Sequence, residues 1–168
     1  MPPSSAGSSA GGGLRPGRMH ATMDGPFVLF LIGMRFNAPF KPWKWWPVVS
    51  SMPRMIRELS MRPELGFISA ETWFGRTTLM LQYWRTPEQL LAYAADREST
   101  HLPAWKQFNQ HIARTGDVGI WHETYLVGPG QYENIYTNMP PFGLGRAGAL
   151  APVGAKRETA SERLHAQG

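Results

Sequence analysis

The feature that most constrains the fold of this chain is the apolar run from Phe27 to Met34, which does not alternate with polar residues. A bilayer-spanning helix needs about 20 apolar residues, so the run is too short for that role. It follows Gly25-Pro26 and is short and bounded by turn residues, which predicts a strand. A strand with one face in water alternates apolar and polar side chains. The residues Leu79 to Leu81 also break that alternation. Both faces of the sheet are therefore expected to be covered.

Proline, glycine and capping residues divide the rest of the chain into a strand-helix-strand-strand-helix-strand order. The predicted elements are the strand at 27–34, a helix from Pro47 to Met61 with Pro53 inside it, strands at 67–74 and 77–84 joined at Gly75-Arg76, a helix from Thr86-Pro87 that breaks at His101-Leu102-Pro103, and a strand at 119–127. This βαββαβ order is that of the ferredoxin-like α+β fold.

Two helices cover only one face of such a sheet. A second sheet from a partner chain would cover the other face, and the pair would form a dimeric α/β barrel with its helices outside. The alternative is a monomer whose long first strand is simply buried. We expect a homodimer.

Both ends of the chain differ in composition from the middle. Residues 1–25 are rich in Gly, Ser, Pro and Ala, and residues 145–168 are again Gly- and Ala-rich, so both are predicted to be disordered tails. His20 and His165, which fall in these tails, are expected to be inert. No apolar segment follows Arg15 and Arg18, which argues against a secretory signal. The predicted domain is 26–127, and residues 128–144 are expected to form an extended arm or lid.

Charge and composition limit the function further. The net charge is +5, but six of the 17 basic residues and three of the 12 acidic residues lie in the predicted tails. No basic run is interleaved with aromatic residues, so no nucleic-acid partner is expected, and a sheet used as an RNA platform is not indicated. The absence of cysteine excludes disulfides and thiolate chemistry and fits a cytoplasmic location. The seven Trp and nine Met favour a pocket for a small apolar substrate, with no membrane role.

Three histidines lie within the predicted domain. His101 precedes the second helical segment, four residues before Trp105, which makes it a candidate base or ligand; the alternative is a helix cap. His111 is interpreted as a half-exposed helical residue. His122 is in register with Ile120 and is interpreted as a satisfied core histidine.

Several blocks of sequence resemble the fumagillin-pathway-monooxygenase-like family, which belongs to the dimeric α/β-barrel group together with antibiotic-biosynthesis monooxygenases. The blocks are PFVLFLIGMRFN, KWWPVVSSMPRMIREL, TTLMLQYWRTPEQLLAYA, HLPAWKQFN, GDVGIWHETY and YTNMPPFG. The resemblance runs from Phe27 to Gly145. It implies an oxygenase of secondary metabolism that acts on an apolar polyketide- or terpenoid-like substrate. The alternative is a non-catalytic dimeric module that binds haem or an apolar metabolite.

The cofactor stays open between haem and none. If haem binds, the resemblance implies His101 or His111 as the iron ligand. Catalysis without a cofactor needs a base and polar groups that hold an oxyanion, for which the candidates are His101, Asn37, Gln82 and Tyr83. The candidate ligand-binding residues are Trp43, Trp45, Trp84, Tyr93, Trp105 and Phe108, of which Trp43 and Trp45 form either a lid or an arm on the partner. No flavin or nicotinamide fingerprint, HExxH or GxSxG motif occurs.

Overall fold

The structure, a computed structural model, describes residues 13–96 and 113–165. Its strands and helices in chain order are β1 (Arg15–Thr22), β2 (Phe27–Phe36), α1 (Pro42–Met61), β3 (Phe67–Trp73), β4 (Leu79–Trp84), α2 (Pro87–Ala95), β5 (Val118–Val127), β6 (Tyr136–Met139), α3 (Leu144–Ala147), β7 (Ala149–Pro152) and α4 (Ala160–His165). Across these two ranges, no helix is both long and apolar enough to cross a membrane.

Four antiparallel strands form the main sheet in the order β3-β4-β2-β5. Helices α1 and α2 pack on one face of it, where Val28, Leu59 and Trp84 form a buried cluster, each with about 1% of its surface exposed. The order and the one-sided helices are those of the ferredoxin-like fold. This part of the prediction is confirmed.

Local signals explain most of the main-sheet elements. The Thr86 hydroxyl accepts a hydrogen bond from the backbone N–H of Gln89 at 3.2 Å and caps α2, and Pro87 occupies the first helical position. Helix α1, however, begins at Pro42 and not at Pro47. Its first turn is held against the end of β2 because the Trp45 ring packs edge-on against Phe36, with centroids 5.0 Å apart.

The β3–β4 hairpin also differs from the prediction. The ladder ends at Trp73 and Leu79, so the connection is the loop 74–78 rather than the two residues Gly75-Arg76. Thr78 turns toward β2, donates its N–H to the carbonyl of Met34 at 2.7 Å, and accepts from Met34 through its hydroxyl at 3.0 Å. A Cβ on Gly33 would lie 2.0 Å from the Thr78 carbonyl oxygen, so this approach requires glycine.

The predictions of disordered ends are wrong for the described residues within 1–25 and 145–168. Strand β1 lies between β6 and β7 in a second, three-stranded sheet, and α4 follows β7. The predicted arm at 128–144 contributes β6 to the same sheet. Ala21 in β1 is fully buried, and its N–H and carbonyl pair with the side chain of Asn134 at 2.7 and 2.9 Å. The partners of β1 lie more than a hundred residues away, so local composition does not reveal them.

The second sheet packs on the face of the main sheet that the helices leave open. Ala21, Phe27, Tyr83 and Leu144 form its buried cluster. Glu71 of β3 fixes the chain near α3, because its carboxylate accepts from the N–H of Gly143 at 3.0 Å and pairs with Arg146. Both faces are covered here, as expected, but the cover comes from the same chain. Farther along this face, half-buried side chains of β2 and β4 remain partly open to solvent.

Candidate ligand cavity

A cavity of about 260 Å³ lies between the main sheet and helices α1 and α2. Aliphatic, methionine and aromatic side chains line most of it, and a few polar groups reach into it. The lining residues are Phe30, Ile32, Gly33, Met34, Val48, Ser51, Met52, Met55, Leu59, Met80, Gln82, Trp84, Leu90, Leu91, Tyr93, Ala94, Ile120, His122 and Thr124. An apolar pocket with few polar groups suits a small apolar molecule that carries one or two polar atoms.

The strand register orders the floor of the cavity. Gln82, Phe30 and Thr124 are neighbours across β4, β2 and β5, and the row beside them contains Ile32 and His122. Strands are about 4.8 Å apart, which places the backbones of Gln82 and Thr124 about 10 Å from each other. A ligand above Phe30 therefore has polar groups on two sides.

Gln82 is 3% exposed, and its amide has a defined orientation. The Trp84 indole N–H can only donate, and it lies 2.9 Å from the Gln82 Oε1, so the oxygen of the amide faces Trp84. The amide NH₂ then points away, and its partner is the Met80 sulfur at 3.1 Å, a weak acceptor. Gln82 thus offers a hydrogen-bond donor to an apolar cavity.

His122 lies at the mouth of the cavity and its side chain is exposed, so the interpretation as a satisfied core histidine is wrong. The predicted strand face was right, since His122 and Ile120 both line the cavity. The predicted burial of His122 was wrong, because β5 is an edge strand of the main sheet. The His122 ring lies 5.9 Å from that of Phe30. Among the described lining residues, His122 is the one imidazole, the side chain most often used as a general acid or base.

Trp84 and Tyr93, two of the predicted ligand-binding residues, line the cavity. The Tyr93 hydroxyl donates to Glu58 Oε2 at 3.4 Å. Burial, and then the Glu58 carboxylate, raise the pKa of Tyr93 well above its ordinary value. Tyr93 is therefore a protonated donor at neutral pH and not a base.

Two of the predicted catalytic residues lie elsewhere. Tyr83 is on the opposite face of the sheet, among the residues that bind the second sheet, and burial raises its pKa. Asn37 follows β2 and donates its side-chain N–H to the carbonyl of Gly116 at 2.9 Å, which ties two loops together. Neither residue belongs to the described lining of the cavity.

Trp43 and Trp45, predicted as a lid or as an arm on the partner, lie outside the described lining of this cavity. Trp45 packs inward against Phe36 and donates its indole N–H to the carbonyl of Pro39 at 3.1 Å. Trp43 is 66% exposed, and neither residue lines the cavity. The remaining candidates lie outside the described residues and stay predictions: His101, Trp105, Phe108 and His111.

The described residues show no metal centre, since they bring no three His, Asp or Glu side chains together in a way that could hold an ion. For haem, this part of the cavity supplies the imidazole of His122 but no Lys or Arg to pair with the propionates.

Comparison with known proteins places this geometry in context. Residues 27–144 match the family model described as monooxygenase af470-like. Monooxygenase af470 of Aspergillus fumigatus is 32% identical over 132 residues, which cover 73% of this chain and 46% of that protein. An aldoxime dehydratase solved in complex with butyraldoxime superimposes with a TM-score of 0.64 at 18% identity, over 82% of this chain and 44% of that one. The chain thus spans less than half the length of either protein. The resemblance seen in the sequence is confirmed.

Proposed function

Because this chain belongs to the monooxygenase af470-like family, we propose that it is an oxygenase of secondary metabolism whose cavity binds an apolar polyketide- or terpenoid-like substrate. The observation that carries the proposal is the buried amide donor of Gln82 in an otherwise apolar cavity, with His122 at its mouth. An absence of cysteine and of membrane-spanning helices in the described ranges is compatible with a cytoplasmic enzyme.

The polar groups suit a substrate with an acidic C–H near a carbonyl. The Gln82 N–H would donate to the carbonyl oxygen, and it would bind that oxygen more strongly as negative charge develops there. The His122 imidazole would accept the proton from carbon. Thr124 adds a hydroxyl donor at the wall, and the methionines of α1 adapt to the apolar body of the substrate.

The proposed reaction needs dioxygen and no resident cofactor. The carbanion gives its electron pair to O₂, a C–O bond forms, and the resulting peroxide takes up a proton. Loss of water then breaks the O–O bond and the second C–H bond. In total a CH₂ group and O₂ become a C=O group and H₂O, so the substrate is the reductant and one oxygen atom enters the product.

Anthrone, an apolar tricyclic ketone with an acidic methylene, is a suitable probe. We expect the protein to accelerate oxygen uptake and the formation of anthraquinone, measured with an electrode and by absorbance. The change His122→Ala removes the base and should lower turnover by about 10²- to 10⁴-fold. Gln82→Leu removes the oxyanion donor and should lower it by about 10²-fold or more.

The matched control is His165→Ala, at the exposed end of α4, which should leave turnover unchanged. His101→Ala tests the candidate that lies outside the described residues. Variants of His122 and Gln82 as active as the wild type would contradict their assigned roles. A Soret band in the purified protein would instead favour the haem-binding alternative.

We further propose that the active form is a homodimer. The support is the face of the main sheet that the second sheet covers only in part. Leu31 is half-buried there, and its cross-strand neighbour Leu81 is also half-buried although it packs against the second sheet. A second copy could cover these side chains in the barrel arrangement expected from the sequence.

A further inference from the structure

We propose that this chain docks on an anionic membrane surface through the end of the main sheet where β2 and β3 finish. The proposal goes beyond the oxygenase function and does not depend on turnover. It rests on four exposed aromatic residues, on the cations around them, and on the hydrogen bonds that hold their loops together.

The exposed aromatic residues at this end form what we call the aromatic tip. Phe40 is 93% exposed, Phe74 78%, Trp43 66% and Trp46 61%. Trp43 and Trp46 are three residues apart in α1 and so lie on one side of the helix, while Trp45 turns inward to Phe36. None of the four lines the ligand cavity. Large aromatic side chains grouped on a surface mark a site of interaction.

Three loops bring the aromatic tip together. The N–H of Phe36 donates to the carbonyl of Arg76 at 2.9 Å, which ties the start of the β2–α1 loop to the β3–β4 loop. The N–H groups of Asn37 and Ala38 donate to the carbonyl of Asp117 at 3.1 and 3.0 Å, which ties the first loop to the start of β5. The tip is thus presented on a connected backbone.

The charge around the tip is strongly one-sided. The loops and strand ends at 35–46, 74–78 and 114–117 contain five basic residues and one acidic residue. The basic residues are Arg35, Lys41, Lys44, Arg76 and Arg114. The acidic residue, Asp117, is already paired with Lys41 at 2.9 Å. The opposite end of the sheet mixes both signs, with Glu58, Arg62, Glu64, Arg85 and Glu88.

This combination matches a lipid interface better than a protein partner. Tryptophan and phenylalanine favour the boundary between headgroups and acyl chains, and neighbouring basic residues are attracted to anionic headgroups. No helix in the described ranges could span the bilayer, so the contact would be peripheral. On helix α1 the cavity lining begins at Val48, two residues after Trp46 of the aromatic tip. This proximity would suit an apolar substrate dissolved in the membrane.

Cosedimentation of the full chain with phosphatidylcholine vesicles, with and without phosphatidylserine, tests the proposal. We expect binding to the anionic vesicles that weakens with added salt. Phe40→Ser combined with Phe74→Ser should reduce the affinity by about tenfold or more, because two aromatic rings no longer insert. Lys44→Glu combined with Arg76→Glu should reduce it by a similar factor or more, because two cations become anions.

Matched controls exist at the opposite end of the molecule. Met61→Ser with Leu126→Ser removes two exposed apolar side chains, 71% and 66% exposed, and Arg57→Glu with Arg85→Glu reverses two exposed charges. Both controls should bind vesicles as the wild type does. Absence of binding to anionic vesicles, or equal losses in the tip and control variants, would overturn the proposal. A change in sedimenting mass of the vesicle-free tip variants would also overturn it, by showing that the tip contacts protein.

Discussion

His20, which the sequence placed in a disordered tail, has a defined protonation state in the structure. It is 4% exposed in the second sheet, and Arg157 Nη1 lies 2.9 Å from its Nε2. A guanidinium can only donate, so the ring nitrogen accepts and the imidazole is neutral. Burial lowers the pKa of His20 below its ordinary value of 6.5, and the charges of Arg157 and Arg163 lower it further.

The pKa of His20 predicts a dependence of stability on pH. Below pH 6.5 the unfolded chain takes up a proton that the folded chain resists, so the free energy of unfolding should fall as the pH decreases past that value. His20→Gln keeps an acceptor for Arg157 but does not titrate. We expect its melting temperature to fall less than that of the wild type between about pH 8 and about pH 5. His165→Gln is the control, and parallel profiles for wild type and His20→Gln would contradict the assignment.

The face of the sheet on which a candidate residue lies could be predicted from the sequence, because it follows from the alternation of side chains along a strand. Gln82 and Trp84 alternate with Tyr83 on β4, so the first two share the cavity face and Tyr83 cannot. The pattern does not show which of the two faces holds the ligand. It also does not show the Gln82–Trp84 hydrogen bond, which depends on the rotamers of both side chains.

At the scale of elements, signals from adjacent residues were sufficient for the order of the strands and helices of the main sheet, although not for the β3–β4 loop or the start of α1. The Thr86-Pro87 start of α2 and the apolar run of β2 are local, and both appear in the structure. Strand β1 carries Arg15, Pro16 and Gly17, none of which favours a strand. Strand β1 is held by its pairing with β6 and β7 and by the side chain of Asn134. These contacts are non-local.

Asn134 is therefore expected to matter for stability more than a loop residue usually does. Asn134→Leu would leave the buried N–H and carbonyl of Ala21 without partners, which costs about 1–3 kcal/mol per group. We expect the free energy of unfolding in urea to drop by about 2–4 kcal/mol. Asn138→Gly, which removes an exposed hydrogen bond to Gly17 and keeps the positive φ of 53° accessible, is the control and should change little. A small effect at Asn134 would mean that β1 is only loosely held.

At the scale of the whole molecule, the half-covered sheet face predicts the assembly. Sedimentation should give about twice 18.8 kDa. Leu31→Arg places a charge on the open face next to Leu81 and should shift the protein to a folded monomer. Leu126→Arg, at a 66% exposed position on the helical side of the sheet, should remain dimeric. A wild-type monomer, or a dimer unaffected by Leu31→Arg, would show that the second sheet already covers this face sufficiently.

The second sheet also has a consequence for synthesis on the ribosome. Strand β1 contacts residues as far as 140 positions downstream, as between Arg18 and Glu158. At 5–20 residues per second, β1 waits roughly ten seconds for its partners to be translated. During that interval it is an unpaired strand edge, the kind of segment that leads to aggregation. The strand begins with two charged residues, a proline and a glycine: Arg15, Pro16, Gly17 and Arg18. These residues make β1 hard to predict as a strand from the sequence. They also disfavour its pairing with other chains, so aggregation of the nascent chain should be reduced until the second sheet forms.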